Sequence, residues 1–324
     1  MKVIIPVAGE GTRLRPHTHS APKPLLSVAG KPILAHVLDP VVPLEPDEVV
    51  FVIGYRGDQI RQFVADSYSF KATFVQQDQL LGLGYAVNLA MERIAGGPLM
   101  IVLGDTVVQC DLKQFRDAGD YVLGLRQVED PRRFGIAELG DGAVVRLVEK
   151  PEDPPTNLAV IGVYYFSDCG PLKRALDEHV RSGRTVRGEI QLTDALEMLI
   201  RSGHRCTPFE VQGWYDCGKR ETLLETNRAL LELNSHGPKS AGSHIVPPVY
   251  IGRDVVLERA TIGPHVSIGD GAIVKDSRIR DSIVGRRAVI EGCELGESLV
   301  GNEARVCRVR GQVNLGDHSE VELA

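Results

Sequence analysis

Hydrophobic residues are distributed along this chain in two textures. As far as about Leu233, short apolar runs alternate with amphipathic stretches. Val3 to Val7, Val49 to Ile53, Leu99 to Leu103, Val144 to Val148 and Val160 to Phe166 read as strands. Gly57 to Ser67, Glu189 to Ile200 and Glu221 to Leu233 carry the spacing of helices. Strands alternating with helices predict an α/β fold built on a doubly wound, mostly parallel sheet. Ligands of such sheets bind beyond the carboxyl ends of the strands. Two strands run into Gly9 to Arg13 and into Gly104-Asp105, so two strand exits are expected to converge on one crevice.

After the turn-rich segment Asn234-Ser235-His236-Gly237-Pro238 the pattern changes. Ile251, Ile262, Ile268, Val284, Leu295 and Val300 each precede a glycine, several of them six residues apart or close to it. An inward aliphatic residue on a six-residue period is the signature of a parallel β-helix, in which each coil buries its apolar row against the next. The gap between Ile251 and Ile262 interrupts the repeat, so only a few coils are expected. The predicted domains are therefore 1–236 and 237–324. With no obvious catalytic histidine, the tail reads as a structural and oligomerising element more readily than as a second active site, which makes a homo-oligomer the expected assembly.

Length and charge bound the function. A chain of 324 residues exceeds one typical domain. Its 37 Lys and Arg against 43 Asp and Glu give a formal charge of −6, which argues against a general nucleic-acid or anionic-membrane binder. Any basic site must be local. No apolar run approaches the roughly 20 residues of a membrane span, and the first apolar stretch has no cleavage-site pattern, so a cytoplasmic location is expected. The six cysteines are widely spaced, with no C-x-x-C pair, and read as reduced thiols.

The chemistry starts at the first strand. Its glycine-rich exit, Gly9-Glu10-Gly11-Thr12-Arg13, leaves backbone N–H groups open to an anion, and Arg13 and Lys23 supply positive charge within a few turns of chain. The P-loop pattern is absent, and so is the third glycine of the dinucleotide fingerprint. Gly11-Thr12-Arg13-Leu14-Arg15-Pro16 followed by Pro22-Lys23-Pro24-Leu25-Leu26 resembles the signature of sugar-1-phosphate nucleotidylyltransferases. Further along, Gly104-Asp105 resembles that family's metal-binding step, although an Asp ending a buried strand, read alone, is more readily a helix cap. Asp216 in Trp214-Tyr215-Asp216-Cys217-Gly218 resembles the Trp-x-Asp-x-Gly segment near the end of the catalytic domain. Two carboxylates with waters and substrate phosphates suit Mg2+.

The resemblance extends over essentially the whole chain and is strongest to the long form of glucose-1-phosphate thymidylyltransferase, whose catalytic domain precedes a left-handed parallel β-helix. It implies a Rossmann-like nucleotidyltransferase core, a nucleoside triphosphate and a hexose 1-phosphate as substrates, and roles for particular residues. Ala8, Gly9, Gly11, Thr12 and Arg13 would hold the triphosphate, with Lys23. Gln77 and Gly82 would meet the base, since a Gln amide offers one donor and one acceptor to the imide edge of thymine or uracil. Gly84, where relatives carry Ala, is expected to loosen this loop. Gly135, Glu149, Lys150, Asn157, Val160 and Arg187 would hold the sugar phosphate. Asp105 and Asp216 would hold the metal, and Arg13, Lys23, Asp105, Lys150 and Asp216 would carry catalysis. Rival readings keep the chemistry and change the substrates, to UTP with glucose 1-phosphate or GTP with mannose 1-phosphate. Others change the class, to a non-catalytic nucleotide-sugar sensor or a bifunctional acetyltransferase.

Overall fold

A computed structural model describes residues 1–233 and 242–323. The linker expected at 234–238, and with it the domain boundary after residue 236, lies outside the described residues. Packing divides the chain into two compact units, one of Met1–Gly9 with Val37–Trp214, the other of Glu10–His36 with Tyr215–Ala324.

The first unit is built on a nine-stranded sheet of β1 (Lys2–Pro6), β2 (Glu48–Ile53), β3 (Ala72–Gln76), β4 (Leu99–Val102), β5 (Tyr121–Gln127), β6 (Gly135–Gly140), β7 (Ala143–Glu149), β8 (Leu158–Phe166) and β9 (Thr207–Glu210). The strand order is β7-β6-β8-β4-β1-β2-β3, with β5 also paired to β8 and β9 to β5. From β3 through β2 and β1 to β4 the strands are parallel. At β8 the sheet turns antiparallel, because β8 opposes β4, β5 and β6. Every residue of β2 is buried, and after Glu48, which pairs with Lys2 and Lys71, it is the unbroken apolar run that a doubly covered strand requires.

Helices α1 (Gly57–Ser67), α2 (Leu83–Met91), α3 (Gly170–Ser182) and α4 (Leu192–Arg201) accompany this sheet. Packing of α2 on β1 and β2, and on α3 and α4, joins Ile4, Val50, Val87, Met91, Ile101, Leu176 and Leu196 in one core. The helix expected from Glu189 begins three residues later. Val186 and Glu189 exchange both backbone hydrogen bonds, at 2.9 and 3.1 Å, so this stretch closes a hairpin before the helix can start.

In the second unit, α5 (Arg220–Leu233) lies against a parallel β-helix. Three five-stranded parallel sheets form its faces. Ile262, Ile279 and Leu295, Ile268, Val284 and Val300, and Val274, Ile290 and Val306 point inward and are buried, as the repeat predicts. Successive coils advance by fifteen to seventeen residues, as in Tyr250 to Ser267 and Leu299 to Asn314, which is why the six-residue spacing is broken. The glycines of the repeat stand where coils approach most closely: a Cβ on Gly285 would lie 2.5 Å from the Asn302 nitrogen. Outside, arginines clip one coil to the next, as in Arg253 to Asp270 at 2.7 Å and Arg259 to Asp276 at 2.6 Å.

Candidate active site

Four neighbouring parallel strands of the first unit deliver polar backbone and side chains to one edge of the sheet. As β1 ends, Val7 N donates to Val52 O, and at the exit of β4 Gly104 N reaches Pro6 O at 3.3 Å. Gly54, at the exit of β2, comes so near Ala8 that a Cβ on it would lie 2.6 Å from the Ala8 carbonyl oxygen. At the exit of β3, Gln77 N donates to Ile53 O at 2.8 Å. Ala8, Gly9, Gly54, Gln77, Gly104 and Asp105 thus line the carboxyl edge, where a parallel sheet presents ligand sites. Asp105 is half-buried, and its Oδ1 accepts from Thr106 Oγ1 at 3.2 Å. A strand, Thr106–Gln109, follows it, which removes the helix-cap reading.

Gln77 is buried, with its side-chain Nε2 donating to Gln79 O at 3.0 Å. Gly82 opens α2 with φ 107°, a backbone conformation that favours glycine. The loop is tight here, contrary to the loosening expected from Gly84. Gly84 N donates to Ile190 O at 2.9 Å, Ile190 N donates to Leu81 O at 2.7 Å, and a Cβ on Gly84 would lie 2.9 Å from the Gln191 carbonyl. The glycine is required by the closeness of the Ile190-Gln191 backbone.

A second cluster gathers at the β6–β7 pair. Register places Glu149 opposite Gly135. Lys150 Nζ lies 3.2 Å from Glu149 Oε1 and 3.7 Å from Glu189 Oε2, and Gln191 Nε2 donates to Glu189 Oε2 at 2.9 Å. A Cβ on Gly135 would lie 2.6 Å from Thr193 Oγ1 and 3.1 Å from Glu149 Oε2. Lys150 and Arg187 both adopt left-handed backbone, with φ 43° and 52°, a strained conformation that L-residues keep only where the surroundings impose it. Arg187 is exposed at the tip of the hairpin that brings Glu189 to Lys150. Asn157 is exposed beside a shallow cavity of about 350 Å³ shared with Pro131 and Arg132. Val160 is 9% exposed and packs in the core. The Glu149 charge is felt nearby: burial, and after it Glu149, pushes the Tyr164 hydroxyl above its ordinary value. Burial likewise raises the Asp194 carboxyl, with His179 opposing and Glu149 adding.

Arg13, Lys23 and Asp216 belong to the second unit. Gly11 takes left-handed backbone (φ 64°) and opens the short 3-10 turn Thr12–Leu14. Its missing side chain makes room for two neighbours, since a Cβ there would lie 2.9 Å from Lys23 Cβ and 3.0 Å from Thr18 Cγ2. Thr18 Oγ1 donates to Gly11 O at 2.9 Å, and Lys23 is buried between its two prolines. A Cβ on Gly218 would sit 2.8 Å from Asp216 Oδ1 and 3.1 Å from Arg13 Nη2. The guanidinium and the carboxylate therefore border the same small space, which a larger residue would fill. Asp216 Oδ1 also accepts from Gly218 N at 2.9 Å.

Among the described residues, no group of three or more His, Cys, Asp or Glu side chains comes together as a metal cage. Asp105 in the first unit and Asp216 in the second each carry carboxylate oxygens, the hard donors that a hydrated divalent ion prefers. The cysteines form no disulfide, and burial pushes the Cys206 thiol up to about 12. No helix among the described residues is long and apolar enough to cross a membrane.

Glu189, Gln191 and Thr193 were absent from the expected site because their stretch reads as the start of an amphipathic helix. The signal that could have found them is Gly188, which follows Arg187 and lets the chain reverse before α4 begins.

A family model described as "Nucleotidyl transferase" matches residues 2–232. Over the full length of both chains the sequence is 33% identical to the glucose-1-phosphate thymidylyltransferase of Streptomyces griseus. It is 32% identical to that of Streptomyces antibioticus, covering 100% of this chain and 99% of the relative. The crystal structure of UDP-glucose pyrophosphorylase complexed with UDP-glucose matches with a TM-score of 0.63 and 25% identity, over 72% of this chain and 98% of that one.

Proposed function

The chain belongs to the nucleotidyl transferase family and is a sugar-1-phosphate nucleotidylyltransferase, and we propose that it joins dTTP or UTP to glucose 1-phosphate, releasing pyrophosphate. The observation that carries this reading is the carboxyl edge of β3, β2, β1 and β4, where a Gln amide, a glycine-rich exit and an Asp carboxylate stand at the ends of β3, β1 and β4. A base, a phosphate chain and a cation need those three chemistries, side by side.

In this reading the sugar phosphate oxygen attacks the α-phosphorus in line, and no protein nucleophile takes part. Lys150 grips the 1-phosphate as a point charge, released from Glu149 and Glu189 as the phosphate arrives. Glu149 then accepts from sugar hydroxyls, the bare backbone of Gly135 lets the ring approach, and Asn157, Val160 and Arg187 complete that side. Ala8, Gly9, Gly11 and Thr12 supply backbone donors to the triphosphate, Lys23 holds it, and Arg13 stabilises charge as the α-phosphorus is attacked. Gln77 reads the imide edge, with Gly82 beneath the base. A bound divalent cation, Mg2+ in this proposal, would neutralise the triphosphate and the departing pyrophosphate, held by Asp105 and Asp216. Two unit charges about 4 Å apart repel by about 4 kcal/mol at an effective dielectric of about 20, so neutralisation is part of bringing the two substrates together.

A pyrophosphate-release assay of dTTP, UTP, GTP and ATP against glucose 1-phosphate and mannose 1-phosphate tests this. Turnover of dTTP and UTP with glucose 1-phosphate is expected. UTP should be only modestly poorer, since the bases differ by one methyl group, and purines should lose roughly 1 to 3 kcal/mol for each mispaired buried polar group. A preference for GTP with mannose 1-phosphate would overturn the substrate assignment.

A further inference from the structure

We propose that the β-helix is a positioning element of the nucleotide site, acting through Asn314 and Asp317 on the glycine-rich segment that precedes Lys23. The proposal rests on the assignment of that segment to the triphosphate. It concerns only the second unit, in which Glu10–His36 and the β-helix pack together.

One face of the β-helix carries an outward row that the repeat leaves unexplained. Tyr250, Ser267, Ile283, Leu299 and Asn314 stand in register on successive coils. An outward row on a coil should be polar and wet, yet Ser267, Ile283 and Leu299 are buried. The ends of the row show what covers it. Tyr250 lies against Gly30, where a Cβ would fall 2.4 Å from its ring. Ser267 Oγ donates to Asn227 Oδ1 at 2.6 Å, and the same Asn227 oxygen accepts from Ala29 N at 2.9 Å. At the far end, His17 Nε2 lies 2.8 Å from Asn314 Oδ1. An amide oxygen only accepts, so Nε2 carries the proton. Ser20 Oγ donates to Asp317 Oδ2 at 2.7 Å, and Gly316 lies beside Pro16, within 3.1 Å of where its Cβ would be.

These contacts continue to the anion-binding residues. His17 and Thr18 share one 3-10 turn, Thr18 bonds the Gly11 carbonyl, and Gly11 packs on the stem of Lys23. A stacked, corner-clipped coil thus fixes a short loop that has little core of its own. Loops hold functional side chains well when a rigid scaffold positions them. The burial of His17 supports this, because it holds the imidazole below its ordinary value against the pulls of Asn314 and Asp317 and keeps the contact neutral.

Asp317 Oδ1 also accepts from Asn302 N at 2.7 Å inside the coil, so altering it would disturb the coil itself. The test therefore compares the full-length chain with Asn314→Ala, Ser20→Ala and the double variant by steady-state pyrophosphate release. The double variant should raise the KM for dTTP about tenfold, as loss of two hydrogen bonds predicts. Its kcat and its KM for glucose 1-phosphate should change less than about twofold, and Asn314→Gln, which keeps the acceptor, should recover most of the loss. Linkage is reciprocal, so dTTP should slow amide hydrogen exchange at residues 299–317 of the unaltered protein. Unchanged dTTP KM in a folded double variant, an equal rise for both substrates, or a tail indifferent to dTTP would each overturn the proposal. Absence of any dTTP- or UTP-dependent turnover in the unaltered protein would instead overturn the substrate reading on which it rests.

Discussion

Gly135 and Thr193 stand so close that a Cβ on the glycine would lie 2.6 Å from the threonine hydroxyl oxygen and 3.0 Å from its methyl carbon. Thr193 is buried in the first turn of α4 and cannot retreat, while Glu149 Oε2 on the other side, at 3.1 Å, is the end of a flexible side chain. Gly135→Ala should therefore push Glu149 out of place. The KM for glucose 1-phosphate should rise at least about tenfold with the dTTP KM little changed, at a stability cost of roughly 1 to 3 kcal/mol for overpacking. A normal sugar-phosphate KM in this variant would dissociate Gly135 from the site.

Lys150 is held by two carboxylates, one only 7% exposed, and in the proposed reaction the phosphate replaces them. Lys150→Ala should raise the KM for the sugar phosphate far more than that for the nucleotide, and Arg13→Ala should act chiefly on kcat. Glu189→Gln removes one competitor for the lysine and should lower the sugar-phosphate KM. Kinetics that move both substrates equally in Lys150→Ala would defeat the division of roles.

The parallel strands and the coils were legible because each buries a periodic or unbroken apolar run: β2 and α1 lie where the pattern put them, within a residue. The strand exits at Gly9 and Gly104 were legible for the same reason. What stayed hidden depends on contacts between distant segments. Glu189 reads locally as helix, and only its pairing with Val186 makes it a partner of Lys150. Gly84 reads locally as slack, and only the Gln191 backbone makes it necessary. Ile283 and Leu299 read as residues of a repeat that has already filled its inward row, and nothing local says that the outer row is covered as well.

In the proposed reaction Asp105 and Asp216 act through charge, so their removal should be felt in the transition state. Asp105→Asn and Asp216→Asn should each cut kcat at least about a hundredfold while far-UV circular dichroism and the melting temperature stay near those of the parent. Chelation by EDTA should abolish turnover of the parent, and added Mg2+ should restore it. Near-parental kcat in either variant would leave that carboxylate without a metal role.

Within the second unit, Asp281 joins α5 to the β-helix. Its Oδ1 accepts from Arg228 Nη2 at 2.7 Å and lies 3.1 Å from His265 Nδ1, with Arg280 3.4 Å from the other oxygen. Burial works against ionisation here, but Arg228 and His265 outweigh it and hold the carboxyl below its ordinary value of 3.8. A carboxylate with a lowered folded-state pKa contributes stability that is present above the unfolded value and lost as pH falls through the folded one. Asp281→Asn should therefore cost roughly 1 to 2 kcal/mol near neutral pH. The gap between variant and parent should narrow once the pH drops below 3.8, because the parent then protonates the same group. Melting temperatures of both proteins, measured at neutral pH and at a series of values below 3.8, check this. A penalty that persists unchanged into acid would mean that the contact works through shape and not through charge.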